Sequence, residues 1–302
     1  AASPDRADVL IVNTCSFIGD AKDESIAAIL DACGARKAGR CRAVIVAGCL
    51  PQRYGRELAD AMPEVDAFVG LDKLDAMPAL VKELAAGRGR REFLVPDRSA
   101  RLFEPVRDGV LFTPRAYPYL KIAEGCNHRC SFCAIPAIRG AYRSRRIRDI
   151  VSQAEGLLAN GVRELVLVSQ DTTRYGLDLG GGADLPALLA ALGRLGGRFW
   201  IRLLYGHPAH LTDRLLEAIA AIPQVCKYLD VPVQHSHPEM LRMMGRPSGA
   251  RAGVRDMPAR IRRVIPDVTL RTTCLVGHPG EKTSHFRHLL DYVKESWFDH
   301  LG

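Results

Sequence analysis

A chain of 302 residues, 47% hydrophobic and 25% charged, can bury a full core and has room for two domains, which excludes a fibrous or disordered polypeptide. No apolar run reaches the length of a membrane span, and residues 1–5 lack the charged and apolar regions of a signal peptide, so the cytoplasm is the expected compartment. The net charge of +8 favours an acidic or nucleic-acid-rich partner, although an Arg-rich genomic bias gives the same balance.

The apolar run 9–12 reads as a short strand ending at Asn13-Thr14-Cys15. Helical periodicity follows over 20–38 through Ile26, Ile29 and Leu30. A strand of buried type spans 43–47 and ends at Gly48-Cys49; a helix over 51–61, a strand at 67–69 and a helix over 72–86 complete the run. This alternation implies an open parallel-sheet α/β domain over residues 1–95. Cys15 and Cys49 then sit at the carboxyl ends of two strands, the edge where ligands of such sheets gather. The pair either shares a metal or consists of unrelated buried thiols. Weak periodicity, mixed charge and Pro96, Pro105 and Pro114 mark 87–115 as the passage between domains, with the linker at 96–115.

From 116 to 302 the alternation resumes on a longer scale. Strands are expected at 116–122, 163–169, 199–205, 227–231 and 267–275. Helices are expected at 147–160, 184–195, 211–221, 237–245, 252–264 and 282–296. Repeated strand–helix units imply a (β/α) barrel or part of one, with the chain stopping at Asp299-His300-Leu301-Gly302, where a sixth strand would begin. Gly180-Gly181-Gly182 reads as a flexible connection.

Nine cysteines are present, and in a reducing compartment clustered cysteines indicate metal or catalysis rather than disulfides. Cys126, Cys130 and Cys133 form a C-x3-C-x2-C run within Glu124-Gly125-Cys126-Asn127-His128-Arg129-Cys130-Ser131-Phe132-Cys133. Three thiolates hold three corners of a cubane iron–sulfur cluster and leave the fourth iron open to a substrate. The alternative is zinc with His128 as fourth ligand, but His128 lies too close to both neighbouring cysteines to close a tetrahedron easily. The densest basic run, 139–148, follows at once. Ser169-Gln170-Asp171-Thr172-Thr173 comes after the second expected barrel strand, Gln234-His235 beyond the fourth, and Gly277-His278-Pro279-Gly280-Glu281 after the fifth. Active sites of barrels collect at that edge; taken singly, each segment is equally an ordinary polar loop, and His235 a satisfied structural histidine. Cys33, Cys41, Cys226 and Cys274 have no partner pattern and read as structural.

These motifs resemble one family over nearly the whole chain. The cysteine spacing is that of the radical S-adenosylmethionine (SAM) enzymes. Val12-Asn13-Thr14-Cys15-Ser16-Phe17-Ile18 and Ala47-Gly48-Cys49-Leu50 look like the amino-terminal domain of the methylthiotransferases. Tyr119-Leu120-Lys121-Ile122, the cysteine run, Ala134-Ile135-Pro136 and Arg139-Gly140 look like their radical SAM domain. Val168-Ser169-Gln170-Asp171-Thr172-Thr173-Arg174-Tyr175-Gly176 and Leu229-Asp230-Val231-Pro232-Val233-Gln234-His235 are worded like the branch that modifies an aspartate of small-subunit ribosomal protein twelve. The competing branch, which modifies adenosine beside the tRNA anticodon, usually reads Gly-Gln-Asn and Pro-Val-Gln-Ser at these places.

The resemblance implies a partial (β/α)6 radical SAM barrel lacking its last strand, and two [4Fe-4S] clusters. Cys126, Cys130 and Cys133 would hold the radical SAM cluster. Cys15 and Cys49 match two of the three ligands of an auxiliary cluster, whose first ligand and the terminal TRAM domain are expected beyond the two ends of this chain. Phe132 would pack near the adenine of SAM, and Ser169, Gln170, Asp171, Gln234, His235, Gly277 and Glu281 would line the cofactor site. His278 stands where the family usually has an aromatic residue, and Lys282-Thr283-Ser284 departs from its acidic pattern. The implied chemistry is reductive cleavage of SAM, hydrogen abstraction from the aspartate β-carbon and transfer of a methylthio group from the auxiliary cluster. The implied partners are ribosomal protein twelve, free or on the ribosome, and an electron donor such as flavodoxin or ferredoxin, with tRNA as target under the alternative. A non-catalytic or redox-sensing iron–sulfur protein is the reading from another class.

Overall fold

The computed structural model describes residues 7–102, 116–246 and 253–302. The expected linker beyond residue 102 and the first residue of the helix expected over 252–264 lie outside the described residues. The chain divides into two compact units, Ala1–Phe103 with Cys133–Ala141 and Glu104–Phe132 with Tyr142–Gly302.

In the first unit, strands β1 (Val9–Thr14), β2 (Ala43–Gly48), β3 (Ala67–Val69) and β4 (Glu92–Leu94) form one parallel sheet in the order β1-β2-β3-β4. Helices α1 (Gly19–Lys37), α2 (Cys49–Ala61) and α3 (Met77–Ala85) connect them. Strand alternation splits the core in two. Val44, Val46 and Phe68 pack with Ile29 and Cys33 of α1 and Leu50 and Leu58 of α2. Ala43, Ile45, Ala47, Ala67 and Val69 pack on the other face with Leu80 and Leu84 of α3. With both faces covered, every residue of β2 is buried, which is why that strand reads as an unbroken apolar run. Strand β4 arises inside the stretch of weak periodicity: three residues at a sheet edge, preceded by glycines and arginines, leave no alternating signal. Residues past it stay tied to this unit, with Ser99 Oγ donating to Asp72 Oδ1 at 2.7 Å and Arg101 Nη1 to Asp75 Oδ2 at 2.6 Å. The segment Cys133–Ala141 carries the short helix α4 (Ile135–Arg139).

The second unit is built on parallel strands β5 (Tyr119–Lys121), β8 (Glu164–Val168), β9 (Trp200–Leu203), β10 (Tyr228–Asp230), β11 (Thr269–Thr272) and β12 (His300–Leu301). A parallel bridge between Ile201 and Val225 and the bond from Cys226 N to Ile201 O at 2.9 Å join β9 to the β10 side, so the six follow one another in chain order. A short antiparallel pair, β6 (Ala123–Glu124) and β7 (Arg143–Ser144), flanks the cysteine loop. Where the sequence led a sixth strand to be expected to begin, the two residues of β12 pair with Arg271 and Thr272; two residues are too few to carry a periodic signal.

Helices α5 (Ile147–Ala159), α6 (Leu185–Gly193), α7 (Asp213–Ala221), α8 (Pro238–Met243), α9 (Met257–Val264) and α10 (Thr283–Ser296) intervene. Leu120, Leu165, Leu167, Ile201, Leu203, Leu229 and Leu270 join one core with Ile150, Leu188, Leu192, Leu216, Ile219, Ile261 and Leu289 from the helices. Each such leucine or isoleucine contributes about 1.5–3 kcal/mol by leaving water. The positions alternating with these on the strands include Lys121, Glu164, Arg202, Asp230 and Arg271 beside Tyr119, Val166, Trp200 and Tyr228, so the face away from this core mixes charged and apolar side chains. There Arg202 pairs with Glu164 and lies over the Tyr228 ring at 5.2 Å. Among the described residues no helix is long and apolar enough to cross a membrane.

Candidate active site

The carboxyl ends of the second unit's strands carry the polar loops. The cysteine loop, residues 125–132, leaves β6 and is held on two sides. Asn127 Oδ1 accepts from Tyr142 N at 2.8 Å, and Ser131 N donates to Met244 O at 3.0 Å. Gly245, just past α8, lies against it with φ +66°; a Cβ there would sit 2.4 Å from the Arg129 carbonyl oxygen, so only glycine fits. The next residue, Arg246, donates from Nη2 to Pro232 O at 2.7 Å. Its guanidinium also meets the Cys130 sulfur and lies in the field of Cys126 and Asp171, while burial presses its pKa down.

Asp171, expected among the cofactor contacts, is 1% exposed and bonded on every side. Its Oδ2 meets His128 Nε2 at 2.7 Å and His210 Nδ1 at 2.8 Å. Oδ1 accepts from Thr173 Oγ1 at 2.7 Å, and the backbone carbonyl accepts from Tyr142 OH at 2.9 Å. Burial alone would raise this carboxyl, but the bonds from His128 and His210 outweigh it and hold the pKa below the usual range. An ionised carboxylate only accepts, so both imidazoles donate to it. The His207 ring stacks on His128 at 4.0 Å and 10°. Burial, then the charge on Arg246, pushes His207 down to about 2; its Nε2 is buried without a hydrogen-bond partner among the described residues.

His128, Asp171, His207 and His210 are close enough to suggest a single-ion site. The geometry argues otherwise: lone pairs lie in the ring plane, so two parallel stacked rings cannot aim theirs at one ion. His128 Nε2 is also committed to Asp171, which weakens the zinc alternative for the cysteine loop.

Of the remaining expected residues, Ser169 and His235 are buried, Gly277 is exposed and the others lie between. Gln170 Nε2 donates to Glu124 Oε1 at 3.2 Å, Glu124 pairs with Lys121 at 2.6 Å, and Gln170 Oε1 has no hydrogen-bond partner among the described residues. Ser169 is buried, its Oγ 3.4 Å from Thr172 Oγ1. Gln234, at the end of the β10 segment, has φ 69°, and Tyr205, after β9, has φ 61°. Such left-handed non-glycine residues cost of order 1–3 kcal/mol and gather at functional sites. His235 is buried; its Nδ1 accepts from His237 N at 2.9 Å and its Nε2 is 3.3 Å from Glu281 Oε1. Glu281 in turn accepts from Gly277 N. His278 and Ser131 share a hydrogen bond of 2.9 Å, so the loop after β11 touches the cysteine loop. Phe132 is half-buried. His207, His210, Arg246 and Glu124 were not singled out by sequence. The first two follow a barrel strand, β9, and that position was the available signal; the other two offered none.

In the first unit, Cys15 and Cys49 follow in-register neighbours, Thr14 of β1 and Gly48 of β2. Gly48 has φ +105°, and a Cβ there would meet Thr14 O at 2.8 Å. Thr14 Oγ1 donates to Ala47 O at 2.7 Å and accepts from Leu50 N at 3.2 Å, which fixes the start of α2 at Cys49. Cys15 N donates to Ser25 Oγ at 3.0 Å. Arg139 Nη2 donates to Cys49 Sγ at 3.4 Å. Cys33 and Cys41 are buried in the apolar core, and burial raises both thiols. All nine thiols are free of disulfides.

The radical SAM superfamily model matches residues 120–293. The chain belongs to the radical SAM superfamily. A second model, described as "Uncharacterized protein family UPF0004", matches residues 1–70. Ribosomal protein uS12 methylthiotransferase RimO of Pelotomaculum thermopropionicum is 46% identical over 98% of this radical SAM chain and 66% of its own length. RimO of Geobacter sulfurreducens is 45% identical with the same coverage. The chain thus spans 66% of the length of these relatives. The solved radical SAM methyltransferase TsrM of Kitasatospora setae matches with a TM-score of 0.67 at 16% identity, covering 98% of this chain and 61% of its own. The cobalamin-dependent SAM radical enzyme OxsB matches at 0.63 and 11% identity, over 94% and 43%. These two likenesses speak to fold alone.

Proposed function

We propose that this chain is the catalytic core of a cytoplasmic RimO-type methylthiotransferase that modifies the β-carbon of an aspartate in ribosomal protein uS12. The observation that carries the reading is the cysteine loop, set among hydrogen-bonded polar groups at the strand ends, in a chain whose relatives bear that name at 43–46% identity. Cys126, Cys130 and Cys133 would hold a [4Fe-4S] cluster. The donor chemistry fits it: free thiols, with the Arg246 guanidinium on Cys130 to offset the cluster's negative charge. When bound, the cluster and SAM supply the carbon radical that takes hydrogen from the target.

The chain's own residues position and shield. Gln170 and Gln234 offer polar groups toward SAM, Phe132 an aromatic face, and Gly277 a backbone close to the cofactor. Ser169, Asp171, His235 and Glu281 act by holding the loops. Cys15 and Cys49 would supply two thiolates of an auxiliary [4Fe-4S] cluster, the sulfur source. Flavodoxin or ferredoxin would deliver the electron, and the uS12 loop would be met free or on the ribosome.

The test is a full-length enzyme containing this chain, reconstituted under anaerobic conditions and given uS12 and adenosine-modified tRNA together. The reading expects a methylthio mass increment on the uS12 aspartate and unchanged tRNA. Methylthio-adenosine with unmodified uS12 would move the chain to the tRNA branch.

A further inference from the structure

We propose that the Asp171 carboxylate is a positioning residue that fixes the cysteine loop through His128 and sets the reduction potential of the cluster held there. This rests on the reading that Cys126, Cys130 and Cys133 hold the cluster.

Two other loops and the carboxylate's own turn meet at Asp171. His128 comes from the cysteine loop at 2.7 Å, His210 from the loop after β9 at 2.8 Å, and Thr173 from the turn after β8 at 2.7 Å. Hydrogen bonds to an ionised, buried acceptor are roughly twice as strong as neutral ones, so this bond tethers the cysteine loop more firmly than its neutral bonds to Tyr142 N and Met244 O. His128 lies two residues from both Cys126 and Cys130. Displacing its ring therefore displaces both sulfurs. The stacked His207 ring limits rotation, and Thr173 Oγ1, which bonds Asp171, also accepts from His207 N at 2.9 Å. Carboxylate, hydroxyl and three imidazoles thus form one connected unit around Asp171.

The electrostatic part follows from charge. A cluster that accepts an electron becomes more negative, and its potential responds to net charge and hydrogen bonds around it. A carboxylate shielded from water at 1% exposure opposes reduction, and the Arg246 guanidinium on Cys130 favours it. The pair therefore holds the potential between two extremes. Neutralising Asp171 removes the opposing charge and leaves Arg246 unbalanced.

The test uses the 302-residue chain, reconstituted with ferrous iron and sulfide without oxygen, as wild type, Asp171→Asn, His128→Phe and His128→Gln. Iron content, the midpoint potential from electron paramagnetic resonance during dithionite titration, and the rate of iron loss to a chelator are measured, with circular dichroism checking the fold. Phe keeps the ring stack on His207 but donates nothing; Gln keeps a donor. Asp171→Asn is expected to shift the midpoint to a more positive value and to lose iron several-fold faster. His128→Phe is expected to lose iron several-fold faster, with His128→Gln close to wild type. Asp171→Asn and His128→Phe clusters with the wild-type potential and loss rate would overturn the proposal while leaving the cluster assignment intact. A wild-type chain that takes up no iron would instead overturn the assignment, and the proposal with it. Should Asp171→Asn fail to fold, the His128 pair decides alone.

Discussion

Gly245→Ala places a methyl group where the structure has none to spare. The new Cβ would lie 2.4 Å from the Arg129 carbonyl oxygen and 3.6 Å from Cys130 Cα. An ordinary carbon–oxygen contact needs about 3.3 Å, so α8 and the cysteine loop must part by roughly 1 Å. The obstacle is backbone, which cannot swing aside as a side chain would. The residue also keeps φ +66°, which costs an L-amino acid about 1–2 kcal/mol. Overpacking of this kind adds about 1–3 kcal/mol. Together these give a loss of roughly 2–5 kcal/mol, or about 5–15 °C in the melting temperature of a unit this size. Calorimetry of the variant should show that fall, and reconstitution should yield less bound iron because Arg129 and Cys130 move together. Gly156→Ala is the control: it lies within α5, has an ordinary φ and nothing within 4 Å of its Cβ. It should stabilise by about 0.4–1 kcal/mol. A Gly245→Ala protein that melts with wild type and binds full iron would refute the close packing of α8 on the loop.

His207 is held near 2 against an ordinary value of 6.5, so the folded state keeps it neutral while the unfolded chain takes up a proton as pH falls through 6.5. Its contribution is therefore present above that value and declines in acid, by about 1 kcal/mol between pH 7 and 5.5. Burial lowers His235 and His237 too, in the same direction. Urea unfolding at both pH values should give a steeper acid loss for wild type than for His207→Gln; identical losses would contradict the assignment. In the first unit, Thr14→Val removes the hydroxyl that joins Ala47 O to Leu50 N with little change of shape. It should cost about 1–3 kcal/mol in denaturant unfolding of that unit, and a neutral result would show that the hydroxyl does not fix the start of α2.

The sequence exposed what repeats or clusters locally. The buried run of β2, the strand–helix units of the second unit and the three-cysteine spacing each lie within a short window, so periodicity and spacing found them. Strand β4 and the two residues of β12 were too short for any period to register. The Asp171 network was hidden for another reason. Its members are spread from His128 to His210, and only folding brings three strand ends to one carboxylate. Position after β8 placed Asp171 at the mouth; it did not reveal that the side chain turns inward to 1% exposure. His128 drew notice only as a possible zinc ligand, because the partner that occupies its Nε2 lies 43 residues away. Gly245 reads as an ordinary helix end, and its close approach to Arg129 appears only in three dimensions.

Cys126, Cys130 and Cys133 are proposed to hold a SAM-cleaving cluster. The most direct measurement is 5′-deoxyadenosine formed from SAM by the reconstituted, dithionite-reduced chain beside its Cys130→Ala variant. The expected result is product from the first and none from the second, with broad visible absorption lost in parallel. A colourless chain that binds zinc tightly and leaves SAM intact would contradict the claim.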